Sequence, residues 1–429
     1  MPFVSAEAEI SVSSWSCLHH EPVTLLRDLP LFRYLWLSKA ISSTGTGIGL
    51  IALVLFAASS GPGAVSLVLA CTALPLLASP LAGAVADRVD QRRLLAGCEA
   101  GQGIVYGVMA LAKPSLPALL PLVILASLLA TFGSPAGKSA VSRLVPAEHR
   151  SRANALLGLA VNLQIVAGPA IGGFLAGLTR TSGAFGVNAA SFAISALLLT
   201  RLGPLPPLER QAPKAKVGLL ADTTSGLRSA RENLVVRRLF LGLLVFVTFA
   251  AVDNVALVFL VQRALHGPTA EYGIISAMFG AGMVAASLAL TVKANRMPAA
   301  FWLTGGVATG AVGMILTGIS PSVAVACAGQ AMAGAGNTAA LVGIDTLIQE
   351  RVPTRMLGRA FGTVYGGAQL ASALSYITAG PLVALTGPRA TLVIGGTGAL
   401  AAGFVLRFRP APAGAKQPGL NDEIHGPGC

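Results

Sequence analysis

Charge is what this chain has least of. Asp, Glu, Lys and Arg make up 11% of its 429 residues and hydrophobic residues 54%, whereas a soluble domain carries about 25% charged residues. So little charge excludes a water-soluble protein of this length. Aromatic residues are also scarce, at 6%. No basic platform interleaved with aromatics is present, so the net charge of +13 does not point to nucleic acid. The five cysteines, Cys17, Cys71, Cys98, Cys327 and Cys429, form no CxxC pair. Three lie in apolar runs, where a thiol acts as a small hydrophobe, and no disulfide framework is implied. All five histidines fall outside the apolar runs. That leaves none for an intramembrane proton relay, and His19–His20 is too isolated for a metal site. No metal, no cofactor and no enzyme activity are expected: there is no Walker loop and no nucleophile constellation. The opening residues contain Glu7, Glu9 and Glu21 without a continuous apolar core, unlike a signal peptide.

Long apolar runs and 50 glycines take the place of charge. A spanning helix needs about 20 mostly apolar residues, and small residues let membrane helices approach closely. Twelve segments qualify, near Leu35–Ser60, Ala64–Val85, Leu94–Ala112, Leu116–Ala136, Asn154–Leu178, Ala184–Thr200, Leu239–Val261, Gly273–Val292, Ala299–Ile319, Val323–Ile348, Ala360–Leu385 and Ala390–Leu406. The expected fold is an all-α integral membrane protein of two six-helix bundles. Its divisions are a cytoplasmic N-terminal segment (1–33), a first bundle (34–200), a cytoplasmic linker (201–238), a second bundle (239–406) and a disordered tail (407–429). With both termini placed inside, 26 of the 30 Lys and Arg residues fall on cytoplasmic segments; only Lys113, Arg180, Arg263 and Arg389 fall outside. This asymmetry predicts cytoplasmic termini in a cell membrane.

The halves repeat. Val145-Pro146 and Arg152-Ala153 before the fifth segment return as Val352-Pro353 and Arg359-Ala360 before the eleventh, both 207 residues on. Ala167-Gly168-Pro169 is echoed by Ala379-Gly380-Pro381 with a drift of five. A duplication in parallel order relates the bundles by an axis along the membrane normal.

The second segment ends in Gly83-Ala84-Val85-Ala86-Asp87-Arg88-Val89-Asp90-Gln91-Arg92-Arg93. This resembles the signature loop between helices 2 and 3 of the major facilitator superfamily, and the twelve helices, central linker and duplicated halves agree with it. The resemblance implies a cytoplasmic gate. Gly83 would permit close helix approach, Asp87 would cap a facing helix or pair with a base of the other half, and Arg88, Arg92 and Arg93 would hold the loop inside. The other reading is a basic loop that only sets topology. Asp90 stands where the family has a second glycine, and the matching loop around Lys293-Ala294-Asn295-Arg296 is degenerate. The fifth segment carries Gly168-Pro169-Ala170-Ile171-Gly172-Gly173, which is similar to the core of the superfamily's antiporter signature and implies export; small-residue packing is the alternative. The fourth segment lacks the membrane Arg of many proton-coupled drug exporters, with Leu129 in its place. The start and the second loop are similar to the macrolide and siderophore exporter branch.

Three acids lie within apolar runs: Glu99, Asp253 and Asp345. A charge at the bilayer centre costs about 2.5–3.5 kcal/mol or more, so each is a candidate for proton coupling. Glu99 also reads as a structural salt-bridge member, and Asp345 as a gate residue or one reaching cytoplasmic water. Asp253 is the sharpest, because the resemblance places helices 1, 4, 7 and 10 around a central cavity; the other reading is an acid that snorkels to the outer surface or caps a bent helix. Ser42, Thr46, Thr131, Asn254, Gln330 and Asn337 are the polar cavity candidates on those helices. The expected function is secondary export of a small amphiphilic compound by proton antiport, from a monomer in the lipid bilayer. The alternatives are an importer or uniporter of a metabolite, or a non-transporting receptor of the same fold.

Overall fold

The computed structural model describes residues 25–206, 234–293, 297–353 and 356–406. Positions 1–24, most of the linker (207–233) and the tail 407–429 lie outside the described residues. The described chain is helical throughout: α1 (Leu25–Asp28), α2 (Pro30–Ala58), α3 (Pro62–Ala73), α4 (Ser79–Ala86), α5 (Gln91–Ala112), α6 (Leu116–Leu144), α7 (Arg150–Thr200), α8 (Leu234–Ala250), α9 (Asp253–Phe259), α10 (Thr269–Lys293), α11 (Ala299–Ile319), α12 (Val323–Arg351) and α13 (Leu357–Val405). A 3₁₀ stretch, Leu74–Ala78, joins α3 to α4, and a π turn, Leu260–Ala264, extends α9.

Among the described residues nine helices are long and apolar enough to cross a membrane. Two of them are too long for one crossing. A helix of 51 residues measures roughly 75 Å at about 1.5 Å per residue, more than twice the ~30 Å hydrocarbon core. Each contains one non-helical residue, Arg180 in α7 and Gly387 in α13. The chain doubles back at both. Gly168 before the first break packs on Gly47, while Asn188 and Ser191 beyond it pack on Gly45. Gly367 before the second break meets Phe240, and Leu406 beyond it meets Gly242. Each long helix is therefore a hairpin of two spans. The span α8–α9 is already one of the nine, so with the two hairpins and α3–α4 as one further span the count among the described residues is twelve.

The repeat runs through the architecture with a constant offset of 207. It relates the starts Pro62 and Thr269, Leu116 and Val323, Arg150 and Leu357, the ends Ala112 and Ile319, Leu144 and Arg351, and the breaks Arg180 and Gly387. This corrects one expectation. Ala379-Gly380-Pro381 is not the counterpart of Ala167-Gly168-Pro169, because the helices stay in register through the break. The counterparts of Gly168 and Pro169 are Ser375 and Tyr376.

The apolar core shows how the halves meet. One cluster contains residues of both, including Ile48 and Val65 from the first and Val258, Ile275 and Val383 from the second. It lies toward the end that carries the turns at Gly61, Arg180 and Gly387. Toward the linker end the core divides. Phe32, Leu95, Val141 and Leu199 pack within the first half, and Leu239, Leu303, Ile344 and Leu406 within the second. The halves thus close at the end away from the linker and part at the linker end.

Candidate functional site: a cavity between the halves

A cavity of about 400 Å³ lies between the two halves. Four pairs of lining residues obey the repeat: Leu50 and Leu257, Leu69 and Ser276, Ile165 and Ser372, Pro169 and Tyr376. The cavity therefore straddles the pseudo-symmetry axis, but its chemistry is not symmetric. Gln164 is the one polar side chain that the first half gives to the lining, beside Leu50, Ile51, Val54 and Leu69. The second half supplies Asp253, Asn254, Gln330 and Asn337 as well as Tyr272 and Tyr376. At the positions 207 earlier than Asp253, Asn254, Gln330 and Asn337 the first half has Thr46, Gly47, Val123 and Ala130. One wall is apolar and the other polar.

Asp253 is the single carboxylate among the lining residues, and no Lys or Arg lines the cavity with it. The seventh span is interrupted between the end of α8 and the start of α9, and Asp253 is the first residue after the interruption. Gln330 Nε2 donates to Asp253 Oδ1 at 2.8 Å. The other end of that amide, Gln330 Oε1, is buried without a hydrogen-bond partner among the described residues. The amide thus keeps an acceptor in reserve beside the carboxyl, a costly arrangement in an apolar interior.

The remaining candidates fall elsewhere. Ser42 is buried within the first half, where Glu99 faces Ser42, Ser195 and Lys39. Thr46 Oγ1 donates to the Ser42 carbonyl at 2.7 Å, and Thr131 Oγ1 to the Ser127 carbonyl at 2.8 Å. Thr131 lines a separate pocket with Thr72, Ser79, Ser134 and Lys138. None of Ser42, Thr46, Thr131 and Glu99 lines the central cavity, and neither does any other residue of α6. The Thr46 and Thr131 hydroxyls turn back onto their own helices, and the backbone contact of Gly47 with Gly168 closes the side at Thr46. Asp345 lies toward the linker end, where Tyr365 donates to its Oδ1 at 2.6 Å.

In the loop after α4, Asp90 caps the next helix, α5. Its Oδ1 accepts from Arg93 N at 3.0 Å, and its Oδ2 accepts from Leu205 N at 3.1 Å, tying the loop to the start of the linker. Asp87 is exposed, its carboxylate without a partner among the described residues. Arg88 and Arg93 are exposed, and Arg92 donates to the Thr200 carbonyl at 2.6 Å. A Cβ at Gly83 would meet nothing within 4 Å, so no close helix approach occurs there with the linker end parted. The glycines of α7 are used in contacts. A Cβ on Gly168 would come within 2.6 Å of Gly47 Cα, and one on Gly172 within 3.0 Å of Ile48 Cα. Gly173 faces Gly273 of the other half at 2.8 Å by the same measure, so this short motif joins α7 both to its own bundle and to the partner bundle. Sequence reasoning passed over Tyr272, Ser276, Ser372 and Tyr376. The 207 offset pairs Ser276, Ser372 and Tyr376 with Leu69, Ile165 and Pro169, whereas Tyr272 has no lining counterpart.

Residues 23–424 match the family model described as a transmembrane secretion effector, a major facilitator group. The chain belongs to that family. The multidrug efflux pump Tap of Mycobacterium tuberculosis is 27% identical over 383 residues, covering 85% of this chain and 89% of that one. The enterobactin exporter EntS of Citrobacter koseri is 26% identical over 419 residues, 92% of this chain and 97% of that one. Among solved structures, the nucleoside transporter NupG superposes with a TM-score of 0.74 at 13% identity, over 88% of this chain and 98% of its own. The first two are relatives in sequence; the third shares the fold. This secretion-effector chain is thus a membrane transporter of the major facilitator type, and small-molecule transport is the activity of its family.

Proposed function

We propose that this chain exports small amphiphilic compounds across the cell membrane in exchange for protons, by opening the central cavity alternately to each side. The observation that carries the reading is the lone Asp253 carboxylate, held by Gln330 on the polar wall of an otherwise apolar chamber. An amphiphile fits two such unlike walls, with its apolar part on Leu50, Ile51 and Val54 and its polar part toward Asp253, Asn254 and Asn337. Asp253 can take up a proton or hydrogen-bond the substrate's polar group in turn, and competition between the two is the requirement of exchange. The efflux pump and the exporter among the sequence relatives support the outward direction. With no nucleotide-binding motif in the sequence, an ion gradient is left as the energy source. A proton crossing 100 mV releases about 2.3 kcal/mol, enough for roughly 50-fold accumulation at tight coupling. Asp87, Arg88, Arg92 and Arg93 would form the cytoplasmic gate, released in the conformation described here. Glu99 would serve as a structural member of the first bundle.

The test is efflux of a fluorescent amphiphile from vesicles carrying an imposed pH gradient. Asp253→Asn is expected to abolish pH-driven efflux while downhill exchange persists. If the Asn variant pumps as the parent does, Asp253 is structural and Asp345 or Glu99 is next to be examined. If a protonophore leaves the parent's efflux untouched, proton antiport is the wrong mechanism.

A further inference from the structure

The constant offset puts each residue of α6 in register with one of α12, and near the linker end the charges of the two change sign. Lys138 corresponds to Asp345, and Arg143 to Glu350. Glu148 corresponds in sequence to Arg355, which lies outside the described residues. Arg152 and Arg359 keep one sign, and Arg351 stands against Leu144. The inversion is therefore confined to the ends of α6 and α12 and the loops that follow. Charge is rare in this chain, so a run of sign changes at matched positions calls for a physical reason.

The parted linker end supplies one. When two halves related by a two-fold axis close on each other, residues near the axis meet their own counterparts. A faithful duplication would set Lys against Lys there, and like charges brought together out of water oppose closure. Sign inversion turns that repulsion into attraction. The positions are suited to it. Gln330 and Asn337 place one side of α12 on the central cavity. Asp345 stands two turns further toward the linker end on the same broad side, at the i+8 spacing of a helical face. Lys138 is exposed and has no partner among the described residues, and Glu350 is likewise exposed and unpartnered. Asp345 meanwhile takes a hydrogen bond from Tyr365 of its own half, and Arg143 donates to the Pro206 carbonyl. The parted state thus holds Asp345 and Arg143 on local neutral groups and leaves Lys138 and Glu350 free of partners among the described residues.

We propose that the linker-end surfaces of α6 and α12 are an internal docking pair, in which Lys138 closes against Asp345, aided by Arg143 and Glu350, when the cavity opens to the other side. The inference rests on the alternating-access reading above and adds a specific latch to it. In the closed state the Lys138 ammonium replaces Tyr365 as the partner of Asp345.

The test has two independent arms on the full-length chain. In the first, Lys138→Asp and Asp345→Lys are made singly and together, and efflux is read at equal membrane level. Each single reversal is expected to lower efflux about tenfold, the scale at which a like-charge contact opposes closure, and the exchanged pair is expected to recover most of it. In the second, Lys138→Cys and Asp345→Cys are combined in a chain with its five native cysteines replaced, and a short thiol cross-linker is applied. Cross-linking is expected, and locking the pair should prevent a thiol reagent from reaching Asn337→Cys from the linker side. This arm needs no transported substrate, so it separates failure of the latch from failure of the export reading. Harmless single reversals overturn the proposal, as does an exchanged pair no better than its parents together with no cross-link.

Discussion

Two carboxylates three residues apart, Asp87 and Asp90, meet different surroundings in one loop. Asp90 fixes the start of α5 and reaches Leu205 N through its second oxygen; Asp87 reaches nothing among the described residues. Removing a capping carboxylate costs about 1 kcal/mol. Asp90→Ala is therefore expected to lower the thermal midpoint of the purified protein, and Asp87→Asn to leave it unchanged while reducing transport at equal membrane level. A lower midpoint for Asp87→Asn and none for Asp90→Ala would reverse these assignments. The pair also shows what was legible at this scale. The family resemblance drew attention to Asp87, yet Asp90 carried an ordinary capping signal, an acid directly before Gln91-Arg92-Arg93 and the apolar run that follows. Asp253, Asn254, Gln330 and Asn337 were legible as polar residues in apolar runs. The bond between Asp253 and Gln330 was not, since it joins helices 77 residues apart, and no local pattern encodes that distance.

The twelve elements themselves were legible, because an apolar stretch long enough to span a bilayer is a strong signal. What they touch was less so. Periodicity does not distinguish a hydroxyl facing a cavity from one bonded to its own helix, and Thr46 and Thr131 are of the second kind. The glycines of α7 divide in the same way. Gly168 lies backbone to backbone on Gly47, whereas a Cβ at Gly158 of the same helix would meet nothing within 4 Å. Forcing a methyl into a closed contact costs about 1–3 kcal/mol. Gly168→Ala is accordingly expected to lower the thermal midpoint in detergent, with Gly158→Ala, an equal change in composition and helix propensity, as the control that does not. Equal midpoints for the two would mean that α2 and α7 separate freely at Gly47, and that the motif has no packing role.

At the scale of the whole molecule the question is which end faces the cytoplasm, and the helices alone do not orient themselves. The distribution of bases does. The linker end carries the loops at Arg88–Arg93 and Arg143–Arg152 and the start of the linker, while the other end has only Lys113, Arg180, Arg263 and Arg389. Positive residues in short loops stay on the cytoplasmic side during insertion, so the parted linker end is expected to open inward and the shared core around Ile48, Val258 and Ile275 to seal the cavity from outside. Single cysteines test this directly in a chain cleared of its native ones. Thr181→Cys, beside the break in α7, and Pro268→Cys, before α10, are expected to react with an impermeant thiol reagent in intact cells. Val89→Cys and Ser225→Cys are expected to stay protected until the membrane is opened. The cavity adds a further arm. Asn337→Cys should be reached from the linker side in inverted vesicles faster than from outside in intact cells, because the core closes the outer path. Labelling of Val89→Cys from outside would invert the chain in the membrane, and the same cavity, opening outward at rest, would then favour uptake over export.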